Sequence, residues 1–249
     1  MDRSDHRTQA LSFGTAAAAY QRGRPPYPPQ AIDWMVPATT RRILDLGAGT
    51  GKLTRQLHER GLDTIAVEPD DQMRAELTRQ LPDITVLAGS AEAIPLPDHS
   101  VDTVVAAQVW HWVDAEHAMP EVARTLTPHG TLSLVWNIPD QREGWISALD
   151  RVLHPRGAPP ISSVGVGVDA IEPPFAPVEH HAIEWRDHLT RTELIDLVAS
   201  SSSVITLPPA ERAVLLIEVS RFCDSRPELA GTSKITMPYI THCYRTRLL

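Results

Sequence analysis

The stretch "DLGAGTGKLT" (45–54) decides the fold, because three kinds of loop share its glycines. A P-loop needs G-x-x-x-x-G-K-[ST], with glycine donors around phosphate and a hydroxyl for Mg²⁺. Counting back from Gly51 and Lys52, the first glycine position holds Leu46, and the position after the lysine holds Leu53. The phosphate cradle and the metal hydroxyl are both missing. A dinucleotide loop needs G-x-G-x-x-G. Gly47 and Gly49 fit, but the third position is Lys52, whose bulk opposes close helix–strand packing. What remains is G-x-G-x-G preceded by Asp45. Gly47, Gly49 and Gly51 let the backbone turn tightly and approach a ligand that lacks phosphates.

Outward from the loop, short apolar runs alternate with helical segments between residues 41 and 137. "RILDLGAG" (42–49) reads as a buried strand entering a glycine turn, and 52–60 as a helix with Leu53 and Leu57 on one face. "DTIAVEP" (63–69) is a second strand. A helix over 70–81 follows, with Asp70 as N-cap and Met73 and Leu77 on one face. Strands at 84–90, 101–110 and 130–137 and a helix at 115–126 complete the alternation. Such alternation with short connections means βαβ units and a parallel sheet covered on both faces.

After 137 the pattern loosens. Residues 143–153 read as a helix and 154–177, rich in Pro, Gly and Ser, as a long loop. Residues 178–189 read as a strand and 190–202 as a helix with a capping box of Thr190 and Glu193. A helix over 209–225 and a strand over 234–245 end the chain. "RPPYPP" (24–29) reads as ordered turns. The expectation is α/β: one Rossmann-like three-layer domain over 1–249, with a mostly parallel seven-stranded sheet and an antiparallel last strand. Residues 1–37 form an arm or lid, 38–137 the ligand-binding core, and 138–249 the remaining strands and pocket elements.

The acids near the loop give the ligand its character. Asp45 sits near the carboxyl end of the first strand and Glu68 ends the second. A carboxylate in the latter place accepts two hydrogen bonds from a ribose diol. Asp45 pairs with a cationic amino group. Together they suit a ribose carrying a positively charged amino-acid tail.

At this point the chain resembles a known family. "ILDLGAGTGKLT" (43–54), "VEPDDQM" (67–73), "GSAEAIPLPDHSVDTVVAAQVWHWVD" (89–114) and "EVARTLTPHGTLSLVWN" (121–137) are similar, in order and spacing, to the motifs of class I S-adenosylmethionine-dependent methyltransferases. "FGTAAAAYQRGRPPYP" (13–28) and "HWVD" (111–114) resemble the small-molecule branch that includes trans-aconitate and cantharidin-type enzymes. The resemblance implies S-adenosylmethionine as cofactor and S-adenosylhomocysteine as product. It implies that Asp45 and the backbone of Gly47, Ala48, Gly49 and Gly51 meet the methionine part, and that Glu68 holds the ribose. Pro69 and Met73 pack on adenine, and Ser90, Ala91 and Glu92 reach its edge. Ser90 stands where many relatives have Asp and keeps a hydroxyl for the adenine amino group. Gln108 lies close to the methionine part, and Tyr20 and Arg24 fold over the cofactor.

On the acceptor side, Tyr27, Trp110, His111 and Trp112 are the candidate pocket residues. Strand alternation sends Trp110 and Trp112 one way and His111 the other. His111 is a candidate general base or a structural histidine. Methyl transfer rests on proximity and alignment, so a carboxylate acceptor needs no base. Met237 and Tyr239 line the pocket from the last strand or belong to the core. His180 and His181 alternate across an exposed strand. A second reading is a non-catalytic S-adenosylmethionine-binding sensor or partner protein.

Composition limits the alternatives. A formal net charge of −8 opposes nucleic-acid binding, which needs a surplus of Lys and Arg. The two cysteines, Cys223 and Cys243, have no metal spacing, so neither a metal site nor a disulfide framework is expected. No apolar run reaches the ~20 residues of a membrane span. The first residues read as mature chain. The expectation is a cytoplasmic monomer or homodimer acting on a small-molecule methyl acceptor, with no nucleic acid and no membrane partner.

Overall fold

The computed structural model describes residue 14, residues 17–154, residue 165 and residues 167–249. The reading of the first residues as mature chain, and part of the loop read over 154–177, lie outside these. The strands are β1 (Arg42–Leu46), β2 (Asp63–Val67), β3 (Thr85–Leu87), β4 (Val101–Ala107), β5 (Leu126–Pro139), β6 (Glu179–Leu189) and β7 (Ile235–Arg247). The helices are α1 (Ala17–Gly23), α2 (Pro29–Met35), α3 (Lys52–His58), α4 (Asp71–Gln80), α5 (Ala115–Thr125), α6 (Gly144–Leu153), α7 (Arg191–Ala199), α8 (Ser202–Ile205) and α9 (Pro209–Ser225).

The strands form one sheet in the order β3-β2-β1-β4-β5-β7-β6. β1 to β5 pair in parallel through β3·β2, β2·β1, β1·β4 and β4·β5. β7 runs antiparallel to β5: the Asp140 N–H donates to Pro238 O at 2.9 Å, and the Leu248 N–H to Gly130 O at 2.9 Å. As residue numbers rise on one strand they fall on the other. This is the Rossmann-like α/β sheet, antiparallel in its last strand, expected from the sequence. The strand order reverses between β1 and β4, and ligands of open α/β sheets bind outside the carboxyl ends of the strands at such a switch.

The chain folds as two compact units. One holds the described residues of Pro26–Asn137, Ser163–Ile183 and Thr241–Leu249; the other holds those of Met1–Pro25, Ile138–Ser162 and Glu184–Ile240.

In the first unit, Ala31, Ile32 and Met35 of α2 and Leu53 and Leu57 of α3 bury against Ile43, Val105, Val135 and Cys243. The alternate residues Leu44, Val104 and Leu132 stand in register and are also fully buried. Both faces of the sheet are thus covered, as parallel strands require. α2 was not expected. Pro29 occupies its first turn, where a missing N–H costs nothing, so the "PP" read as a turn also starts a helix. Asp70 caps α4 as expected, accepting from the N–H groups of Gln72 and Met73. β4 ends three residues early, and the chain turns through Gln108 (φ 58°) into a 3₁₀ turn over Trp110–Trp112. The strand alternation expected for the two tryptophans therefore does not apply.

In the second unit, α6, α7, α9 and residues of β6 and β7 surround a core that includes Trp145, Leu149, Leu194, Val198, Phe222, Met237 and Tyr239. Met237 and Tyr239 are core residues here, and Tyr239 stacks on Trp185 with ring centroids 5.2 Å apart. The expected capping box at Thr190 and Glu193 is present. α1 approaches α7 closely because Gly23 has no side chain: a Cβ there would lie 2.2 Å from Leu197 N. Cys223 and Cys243 are buried free thiols. Among the described residues, no helix is long and apolar enough to cross a membrane, and no group of three or more potential ligands is placed to hold a metal.

Candidate active site

The glycine loop leaves β1 beside the ends of β2 and β4. Gly47, Gly49 and Gly51 all adopt left-handed backbone, with φ of 71°, 57° and 86°. Only glycine takes these values without strain. At Gly47 there is also no room, since a Cβ would lie 2.7 Å from Val109 Cγ2.

The loop's donors are used within the protein. The Gly47 and Ala48 N–H groups donate to Val67 O at 2.8 and 3.1 Å, and the Gly51 N–H donates to Ala48 O at 2.9 Å. The Gly49 N–H donates to Glu68 Oε2 at 2.8 Å. A phosphate loop instead turns its N–H groups toward the ligand. The backbone N–H groups of Gly47, Ala48 and Gly49 therefore hold the loop to β2 and Glu68.

Two carboxylates stand under the loop. Asp45 is fully buried, and its Oδ2 accepts from the Thr54 hydroxyl at 2.6 Å. Its Oδ1 is buried without a hydrogen-bond partner. Burial pushes the Asp45 carboxyl up to about 6, against the lowering effect of Thr54. Glu68, also buried, accepts from Gly49 at Oε2 and from the Asp70 N–H at Oε1, 2.9 Å away. Burial pushes it up to about 7, opposed by those two N–H groups and reinforced by the charges of Asp70 and Asp45. A carboxylate offers about four acceptor positions, so Glu68 keeps capacity beyond these two bonds.

The remaining candidates frame this edge. Met73 and Ala91 are buried, Pro69 is exposed, and Ser90 forms a short bridge with Ala93. Glu92 has a structural partner, because its Oε1 accepts from the Asp114 N–H at the start of α5, 3.0 Å away. Gln108 is tied to β5 twice: its backbone N–H donates to Val135 O at 2.8 Å, and Nε2 to Asn137 O at 3.0 Å. Trp110 is buried, with its indole against Gly167. His111 and Trp112 are half-buried and in ring contact, centroids 4.6 Å apart. Tyr27 lies in the core beside α2, and Gln56 bonds both its backbone N–H and its carbonyl.

Tyr20 and Arg24 belong to the other unit. There the Arg24 guanidinium lies 5.2 Å from the Tyr20 ring centre and donates to Ser200 Oγ at 3.1 Å and Ser200 O at 2.8 Å. His180 and His181 are exposed, with separate partners: His180 bonds His242 at 3.1 Å, and His181 stacks on Trp34.

Sequence reading missed several residues of this edge. Thr54 carried a signal, a hydroxyl in the helix that follows the acidic strand. Asn137 carried none: it is buried, donates Nδ2 to Pro26 O at 2.9 Å and accepts from Thr241 Oγ1 at 2.6 Å. Its partners are far away in sequence. Val109 and Trp136 were read only as parts of apolar strands.

The comparisons with known proteins agree with this geometry. A family profile described as "Methyltransferase domain" matches residues 44–134, the stretch from β1 to β5. An uncharacterized methyltransferase of Mycobacterium tuberculosis is 49% identical over 242 residues, covering 97% of this chain and 98% of its own. An uncharacterized methyltransferase-like protein of Schizosaccharomyces pombe is 35% identical, covering 94% of each. A solved structure from Anaeromyxobacter dehalogenans, provisionally assigned as a type II methyltransferase, superposes with a TM-score of 0.69 at 25% identity, covering 91% of this chain and 98% of its own. A glycine loop over two buried acids at the switch point, and near full-length likeness to these proteins, lead to one conclusion: the chain belongs to the methyltransferase family.

Proposed function

We propose that the chain transfers a methyl group from S-adenosylmethionine to an oxygen of a small-molecule carboxylate, leaving S-adenosylhomocysteine. The observation that carries this reading is the chemistry of the loop. Its N–H groups at Gly47, Ala48, Gly49 and Gly51 are spent inside the protein, while two buried acids lie beneath it. Such a site repels phosphate and attracts a cation. The unpartnered Asp45 Oδ1 supplies what a ligand ammonium needs, and pairing would offset the cost of its burial.

In this reading Asp45 holds the amino group, Glu68 the ribose hydroxyls, Pro69 and Met73 the adenine faces, and Ser90 and Ala91 its edge. When bound, the cofactor supplies a methyl group on a positively charged sulfur. The protein's contribution is to orient the partners and exclude water. The buried Trp110 and Met73 support that exclusion. A carboxylate acceptor has no proton to lose, so no residue must remove one. The net charge of −8 favours a small acceptor over nucleic acid. Distant support comes from malonyl-[acyl-carrier protein] O-methyltransferase of Enterobacter lignolyticus, 30% identical over 60% of this chain.

Calorimetry with S-adenosylmethionine tests the cofactor. A screen of metabolite extract with labelled methyl donor tests the acceptor. Saturable binding and label in an acid-derived ester are expected. No binding by the intact chain would sink the reading.

A further inference from the structure

Helix α9 (Pro209–Ser225) buries Val219, Phe222 and Cys223 in the core of its own unit. Its opposite face is apolar as well. Val214 is 57% exposed and Ile217 52%; among the described residues the other large apolar side chain this exposed is Leu249, at the chain end. Ala210 and Ala213 are exposed beside them. Ala210, Val214, Ile217 and Arg221 follow at helical spacings of four, three and four, so they share one stripe. From Ala210 to Arg221 the stripe runs roughly 17 Å. Scattered apolar residues on a surface are ordinary, whereas a contiguous stripe rimmed by charge marks a contact surface.

The charges define what fits it. Glu211 lies at the start of the stripe and Arg221 at its end. Both are exposed, and among the described residues neither side chain has a hydrogen-bond or ion-pair partner. Asp224, on the same helix, is by contrast held by Arg191 Nη2 at 2.8 Å. The stripe is thus negative at one end, apolar in the middle and positive at the other. A partner face of one sign would attract one end and repel the other. A second α9 laid antiparallel matches both: Val214 of each copy meets Ile217 of the other, and Glu211 meets Arg221 at both ends. Parallel packing would set Glu211 on Glu211 and Arg221 on Arg221.

We propose that α9 is a self-association surface, on which two copies of the chain pair about a two-fold axis with these helices antiparallel. A two-fold contact is self-complementary in this way. One helix face buries less than a standard interface, so the dimer is weak and forms as concentration rises. The acids under the glycine loop take no part, so the pairing stands or falls apart from the methyl-transfer reading.

Sedimentation equilibrium of the full chain over a concentration series tests this. The wild type is expected to show a monomer–dimer equilibrium. Glu211→Arg and Arg221→Glu each turn both end pairs into like-charge contacts, and each is expected to weaken the dimer about tenfold. The double variant carrying both changes restores opposite charges in exchanged places and is expected to recover most of the wild-type association. A wild type that stays monomeric throughout, a dimer that neither charge reversal weakens, or a double variant no tighter than the single ones overturns the proposal. Should a variant misfold, the wild type still decides: amide exchange over 210–221 is expected to slow at concentrations where the dimer forms, and a dimer that leaves this exchange unchanged overturns the proposal.

Discussion

Glu68 accepts the backbone N–H of Gly49 at 2.8 Å, so the acid at the end of β2 fastens the loop that leaves β1. The same carboxylate takes the Asp70 N–H on its other oxygen, next to the start of α4. Its removal therefore disturbs loop geometry and, in the proposed reading, ligand contact as well. Glu68→Ala is expected to weaken S-adenosylmethionine binding by roughly 1–3 kcal/mol, because ligand hydroxyls and the Gly49 N–H lose their acceptor. Calorimetry on wild type and variant checks this; equal affinities would remove Glu68 from the site.

Gly47 is fixed by both conformation and space. Gly47→Ala meets the left-handed penalty of about 1–2 kcal/mol and an overpacking cost of about 1–3 kcal/mol against Val109. Adding Val109→Ala is expected to recover the overpacking part only. Thermal unfolding of the single and double variants measures the difference.

The raised acids give the free protein a defined pH dependence. Asp45 at about 6 and Glu68 at about 7 lie above their ordinary 3.8 and 4.5. Folded, they keep protons that the unfolded chain has already released, so they stabilise fully below about pH 4. That stabilisation is lost as pH rises through about 6 and about 7. The melting temperature is expected to fall between pH 5 and pH 8, and to fall less in Asp45→Asn. A cationic ligand favours the charged acids, so its binding near pH 6 is expected to release protons, seen as a heat that varies with buffer ionisation enthalpy.

Asn137 tests the buried network beside β5. Asn137→Ala removes the donor to Pro26 O and the acceptor of the Thr241 hydroxyl, and a buried polar group left unpaired costs roughly 1–3 kcal/mol. Denaturant unfolding is expected to show that loss.

Gly23→Ala probes the other unit. Its Cβ would sit 2.2 Å from Leu197 N, far inside van der Waals contact with backbone that cannot move aside as a side-chain end can. Destabilisation above about 2 kcal/mol is expected, measured by circular dichroism during unfolding.

The central fold was legible because its signals are local. Apolar runs of strand length, the glycine spacing and an acid at each strand end place β1, β2 and the loop without any distant contact. Asp70 and Thr190 announced two helices through their caps. α1 and α2 were missed because each is only two turns long, and Pro29 of α2 was weighed as a turn residue although it is a helix-start residue. The early end of β4 was hidden by the apolar Val109 and Trp110, which look like strand. Asn137, Thr241 and Trp136 act through partners that are remote in sequence, and no local pattern marks them.

β7 lies between β5 and β6 in the sheet, yet it is made after both. On this side of the molecule the middle strand is the last to emerge during synthesis. β5 and β6 must wait, with open backbone edges, until residues 235–247 arrive to separate and pair them. Sheets closed by such distant pairing fold slowly and expose sticky edges meanwhile. The interval between making β6 and making β7 is the time at which a nascent chain of this design is most exposed to aggregation.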